Sequence, residues 1–258
     1  MLTVTAASGG GSGYAQVTVE GAIIGGTTVL DATDPSGDDN GPGTYQYPTS
    51  PNFTAGSFDI TRLQVIRAGS QVFLRTTLRT LTPTFGNPIG AQLLDVYVHS
   101  PSARATSTAA ASSQRNYTIA PADAWTQRIE VQGFAAPVWV DANGNSVGTA
   151  AVLSSEAAKT ITIALPASAF GTPGSGWSFA VVLTGQDGFN PDQACGFAAT
   201  PQAFLFGVCA PDGTSPICGV DAGAVPKAMD VITPSGVDQA TELDPTLGPV
   251  TVHAVPVP

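Results

Sequence analysis

Short runs of alternating apolar and polar residues, each closed by turn-forming residues, recur along this chain and leave room for little besides antiparallel β-structure. The runs F-D-I-T-R-L-Q-V-I-R (58–67), Q-V-F-L-R-T-T-L-R-T-L (71–81), L-L-D-V-Y-V-H (93–99), Q-R-I-E-V-Q-G-F (127–134), P-V-W-V-D (137–141), T-I-T-I-A-L-P (160–166) and S-F-A-V-V-L-T-G (178–185) show period-two alternation or β-branched apolar stretches. Asn-Gly and Asp-Gly turns separate them, as in D-A-N-G-N at 141–145. No apolar face at helical spacing exceeds about two turns. The stretch S-A-R-A-T-S-T-A-A-A-S-S-Q (102–114) has helix-compatible residues but is rich in Ser and Thr, and reads as a partly ordered loop. The expected architecture is all-β: a single antiparallel two-sheet β-sandwich over residues 26–258, with helix below about 10%.

Residues 1–25 read as a hairpin, L-T-V-T-A-A and Y-A-Q-V-T-V-E-G-A-I-I around the turn G-G-G-S-G. They resemble the last two strands of an immunoglobulin-like domain, and fit native edge strands of the sandwich equally well. Met1 runs straight into a strand pattern with no signal peptide, so the chain is expected to be a piece of a longer exported protein. No apolar run reaches membrane-spanning length.

Charge narrows the partners. Nine basic residues stand against nineteen acidic ones, for a net charge of -10. Such a surface repels nucleic acid and anionic membranes. Among the acids, Asp far outnumbers Glu, which places them in turns and loops rather than helices. Abundant Gly, Pro, Ser and Thr complete the profile of an exported β protein. Of the three cysteines, Cys209 and Cys218 bracket the short loop C-A-P-D-G-T-S-P-I-C. A disulfide closing that loop is expected, with Cys195 left reduced and buried; three buried thiols are the alternative. No C-x-x-C or Cys/His pattern points to thiolate metal ligation.

The densest chemistry lies in L-D-A-T-D-P-S-G-D-D-N-G-P-G-T-Y-Q-Y (30–47) and on to Asp59. Several short carboxylates on a tight loop that Gly and Pro keep non-helical are what calcium needs: many oxygens at a small radius. Asp34, Asp38 and Asp39 are the first-choice ligands, Asn40 and backbone carbonyls fill further positions, and Asp59 returns to the same structural ion. The alternative is a solvated turn whose Asp side chains cap backbone amides. The loop lacks the terminal Glu of an EF-hand. Asp141-Ala-Asn-Gly-Asn reads as a hairpin turn, and G-Q-D-G-F-N-P-D-Q (185–193) as a structural loop more than a site.

Sugar recognition needs exposed ring faces beside amide and carboxylate groups. The candidates are Tyr45, Tyr47, Trp125 and Trp139, with Tyr117, Phe134 and Phe189 behind them; Trp177 opens an apolar strand and reads as core. Tyr45 and Tyr47, two apart in an extended stretch, face one side. Catalysis has little support. The two histidines, His99 and His253, neighbour no nucleophile motif, H-E-x-x-H and phosphate loops are absent, and G-G-G-S-G lacks the helix a nucleophile elbow needs.

Five stretches together resemble a known family, the C-terminal, DOMON-like sugar-binding-type modules of glucodextranase and certain secreted pullulanases. Leu30–Ile60 resembles the family's opening, Gln71–Leu78 and Leu93–His99 its early and middle strands, Trp177–Phe189 its late strand and loop, and D-V-I-T-P-S-G-V-D-Q-A-T-E-L-D-P (230–245) its closing signature. The resemblance runs from about Val29 to the end. It implies a non-catalytic module of a secreted or surface-bound bacterial α-glucan-degrading enzyme, with structural calcium. Its partners would be an α-glucan or a cell-envelope glycan and the catalytic domain of the parent enzyme, with no nucleic acid and no membrane insertion. A spacer like S-layer-associated modules, or an assembly domain without a sugar site, is the alternative.

Overall fold

The computed structural model describes residue 23, residues 25–102 and residues 105–258. The hairpin expected over residues 1–25 lies outside these, apart from Ile23 and Gly25. The strands are β1 (Thr27–Thr33), β2 (Ile60–Ala68), β3 (Gln71–Leu78), β4 (Gln92–His99), β5 (Thr118–Ile119), β6 (Gln127–Gln132), β7 (Val138–Asp141) and β8 (Ala151–Ser155). They continue as β9 (Thr160–Pro166), β10 (Ser178–Gly185), β11 (Phe197–Ala198), β12 (Phe206–Gly207), β13 (Asp230–Val231), β14 (Thr251–Val252) and β15 (Val255–Pro256). One sheet has the order β1-β2-β3-β9-β8; the other has β13-β10-β4-β6-β7, with β15 also beside β10. All pairings within both sheets are antiparallel. This is the all-β sandwich that the alternation predicts. Helix is limited to the single turns Ala167–Phe170 and Gln239–Glu242 and three short 3₁₀ turns among the described residues.

The core follows from the pleat. Leu63, Val65, Leu74, Ile161 and Ile163 of the first sheet meet Leu94, Val96, Val98, Phe179, Val181 and Leu183 of the second in one buried cluster. Each contributes roughly 1.5–3 kcal/mol by leaving water. Yet β4 and β10 are buried along nearly their whole length, on both faces. Tyr97, Ala180 and Val182, on the other face, form a second cluster with Tyr117, Ile119, Trp125, Leu243, Val250 and Val252. A third layer of loops therefore covers the outside of the second sheet. The stretch expected to be a loose loop belongs to this cover: Ser107 bridges Trp125, Ala109 bridges Thr118, and Ser113–Arg115 forms a 3₁₀ turn. Cys209 and Cys218 are disulfide-bonded, and Cys195 is free and buried.

Candidate functional sites

The acidic loop begins where β1 ends. Asp34 N–H still donates to Thr61 O at 3.1 Å. The chain then folds back on itself: Asn40 O accepts from Gly43 N and Tyr45 N, and Gly41 N donates to Met229 O at 2.8 Å. Gly41 has φ of +58°, and a Cβ there would stand 2.3 Å from the Tyr45 ring, so no other residue fits. Gln239 clamps the loop to β13: its Nε2 donates to Asp38 O at 2.6 Å, and its Oε1 accepts from Val231 N at 3.1 Å. Asp59 is fully buried beneath the loop and holds it by accepting from Gly37 N at 2.7 Å and Ser36 Oγ at 3.3 Å, while Arg79 Nη1, just after β3, stands 3.4 Å from the same carboxylate.

These bonds bring one carboxylate oxygen each from Asp34, Asp38 and Asp230 to within 4.8 Å of one another. Oxygens around a single calcium ion, at about 2.3–2.6 Å from it, lie no more than about 5 Å apart, so these three could share one. Asp230 is completely buried; its Oδ2 accepts from Ile60 N at 2.6 Å. Burial, reinforced by Asp38 and Asp59, pushes the Asp34 carboxyl up to about 8. Burial raises Asp38 too, and lifts Asp230 well above the ordinary range.

The expected grouping of these side chains is thus corrected. Asp34 and Asp38 converge, but Asp39, Asn40 and Asp59 stand outside the trio. Asp39 turns into the core and accepts from Tyr47 Oη. Asn40 acts through its backbone as the hub of the turn, and Asp59 braces the loop from below. Asp230, at the head of the closing motif, was the member that local reading missed. Its signal was a lone acid opening an apolar Val-Ile pair.

The expected sugar-stacking residues are corrected as well. Tyr45, Trp125 and Trp139 are buried and Tyr47 is half-buried against the core. Tyr45 packs on Phe197 at 4.9 Å and donates to Pro226 O; Tyr47 packs on Phe58 at 5.2 Å. Trp125 lies under the loop layer beside Tyr97, with Nε1 donating to Ala109 O at 2.8 Å. Trp139 packs on Phe170 and donates to Gln127 Oε1 at 2.9 Å. Amphipathic rings found internal partners for their polar atoms, which is why they could be buried.

Phenylalanines are exposed instead. Phe189 is 93% exposed, Phe204 52%, Phe134 45% and Phe85 42%. Together with Phe53 and Leu205 they line a cleft of about 600 Å³, whose lining also includes Gln186 and Asp187. Asp187 caps the loop by accepting from Phe189 N at 2.9 Å and Asn190 N at 3.0 Å, and this turn presents Phe189 to water. Phe85 has φ of +53° and Gly86 +73°, the two positive values a two-residue type I′ turn requires, with Thr84 and Asn87 exchanging both backbone bonds. A bulky residue at the first of these positions is strained by about 1 kcal/mol or more. Of these residues sequence reasoning named Phe134 and Phe189 and missed Phe85 and Phe204; T-F-G-N was the available signal.

The histidines are structural in their contacts: His99 Nδ1 meets Ala124 O, and His253 Nδ1 meets Glu242 Oε1 at 2.7 Å. Asp141 accepts from Asn143 N and Asn145 N, the hairpin turn expected there. Asp192 is drawn inward to Arg115 and Lys227. No helix among the described residues is long and apolar enough to cross a membrane.

One family matches the chain, described as the C-terminal, SLH-like binding module of glucodextranase, over residues 29–258. No curated protein matches it.

Proposed function

Because the chain belongs to the family of C-terminal, SLH-like binding modules of glucodextranase, we propose that it is a non-catalytic module holding an exported α-glucan-degrading enzyme to its polymer or to a glycan of the cell envelope, with the phenylalanine cleft as the contact. The observation that carries this reading is Phe85: a strained, half-exposed aromatic at a turn position that favours Asn, Asp or Gly. Strain kept at a surface position is characteristic of function rather than packing. Phe85 lies 6.5 Å from Phe204 and 6.1 Å from Phe53, so the rings line a concave surface rather than standing alone.

Such a site is weak. Sugar hydroxyls exchange water for protein partners at small net gain, and the cleft offers few polar groups. A dissociation constant on the order of 0.1–1 mM, roughly 4–5.5 kcal/mol, is expected. A polymer with many sites makes that useful through avidity. Affinity electrophoresis in starch, pullulan, dextran and cell-wall glycan tests it. The native protein should be retarded by at least one, Phe85→Ala and Phe189→Ala should migrate freely, and added salt should change little in the three glucans because they are neutral. Retardation by none, or unchanged retardation of both variants, removes the cleft from the account. The near absence of polar groups in the cleft also fits docking of the parent enzyme's catalytic domain, which would leave migration in every glycan unaltered.

A further inference from the structure

Five carboxylates, Asp34, Asp38, Asp39, Asp59 and Asp230, repel one another at the junction between the first long loop and β13. Among the described residues, the one side-chain cation paired with any of them is Arg79, on Asp59. Four of their oxygens are buried without any hydrogen-bond partner: Asp34 Oδ2, Asp38 Oδ1, Asp59 Oδ1 and Asp230 Oδ1. Asp230 is fully buried and shares the trio's centre, so its orphaned oxygen cannot turn to water. Buried polar atoms in native folds are paired with very few exceptions. Several facing acceptors with no donor between them ask for a positive charge at their centre.

We propose that Asp34, Asp38 and Asp230 bind a calcium ion, which fastens the loop after β1 to the strand that opens the chain's closing segment. The donor set identifies the metal. All three side chains offer oxygen, with no His or Cys in the group, which disfavours zinc and copper. An irregular loop supplies the mixed carboxylate geometry that calcium accepts at six to eight positions; magnesium demands a near-octahedral shell and keeps its waters. The two anchors are far apart in sequence but already joined through Gln239 and Gly41, so the ion meets a largely formed site. This inference does not depend on what the phenylalanine cleft binds.

The test uses the whole chain. After exhaustive dialysis against calcium, elemental analysis should give one ion per chain. The melting temperature should rise on the order of 5–10 °C between excess chelator and calcium at about a hundred times the dissociation constant, with a much smaller response to magnesium. Asp230→Asn should lose both the ion and the shift. Because Asp230 also anchors Ile60, Asp38→Asn, at a half-buried position, is the second variant and should behave likewise. Asp39→Asn should retain the bound ion. No bound ion in the native protein together with an unchanged melting temperature overturns the site. Loss of the ion in Asp39→Asn with retention in Asp38→Asn overturns this choice of ligands.

Discussion

Two clusters of buried and half-buried carboxylates stand out among the described residues, one on the outer face of the second sheet and one where the first loop meets β13. In the first, Asp95 of β4 stands directly opposite Glu130 of β6, an arrangement that should repel. Arg115, with no exposed side-chain area, lies between them, 3.0 Å from Asp95, 3.2 Å from Glu130 and 3.0 Å from Asp192. Lys227 adds a second cation on Asp192 at 2.8 Å, and Tyr117 donates to Asp95 at 3.0 Å. In the second cluster, Asp34, Asp38 and Asp230 bring one oxygen each to within 4.8 Å of one another, and no side chain of opposite charge pairs with them among the described residues. The same electrostatic problem thus has an internal answer at one place and none at the other. Burying acids is not itself a sign of a ligand; burying them without a counter-charge is.

The strongest way to break the comparison is to make the first cluster resemble the second. Arg115→Met takes the shared cation from Asp95, Glu130 and Asp192, leaving Lys227 on Asp192 alone, and breaking a buried pair this way costs about 3–5 kcal/mol. Thermal unfolding should move down on the order of 10 °C, and calcium should not restore it. The converse change gives the second cluster its own cation. Asp38→Lys should stabilise the chelator-treated protein by on the order of 2 kcal/mol over the native sequence and abolish any calcium response, read from urea unfolding with and without calcium.

Smaller changes sharpen the contrast. Tyr117→Phe removes a hydrogen bond to the Asp95 carboxylate, at a cost of roughly 1.5–3 kcal/mol in urea unfolding. Tyr97, hydrogen-bonded to Tyr117 at 3.1 Å, should then lose part of its own anchorage. The smallest effect is a slope. Burial and the neighbouring Asp95 raise the Glu130 carboxyl from 4.5 to about 7. The folded protein therefore holds a proton that the unfolded chain has already released between those values. Stability from this group is fully present below about pH 4.5 and is lost as pH rises through about 7. Glu130→Gln should flatten that decline, on the order of 1 kcal/mol, in unfolding measured from pH 5 to pH 8.

The two clusters also differ in how far the sequence discloses them. Period-two alternation located β3 and β9, because a half-buried strand writes its burial into every second residue, and a β-branched apolar run located β10, which is buried on both faces. It said nothing of the third layer, since the segments that bring Tyr117, Trp125 and Val250 over the second sheet are irregular and carry no period. Arg115 was invisible for that reason: a lone basic residue among Ser and Gln looks solvated. Asp34 and Asp38 were legible as part of an acidic run. Asp39 and Asp59 look the same on paper, because direction along a non-repeating loop is decided by bonds such as Tyr47 to Asp39 and Gly37 to Asp59. Asp230 reaches the loop only by tertiary contact, its strand being tied there through Gln239 and Gly41. Tyr45 and Tyr47 do share a side, but alternation cannot say that this side is the core.

The central claim is that the uncompensated cluster is completed by an ion. Its most direct test is anomalous diffraction from crystals grown with calcium, recorded at a long wavelength. The account predicts a peak bounded by oxygens of Asp34, Asp38 and Asp230 at about 2.3–2.6 Å. An empty centre in well-ordered crystals containing calcium, or an ion held by Asp39 and Asp59 with Asp230 turned away, would contradict it.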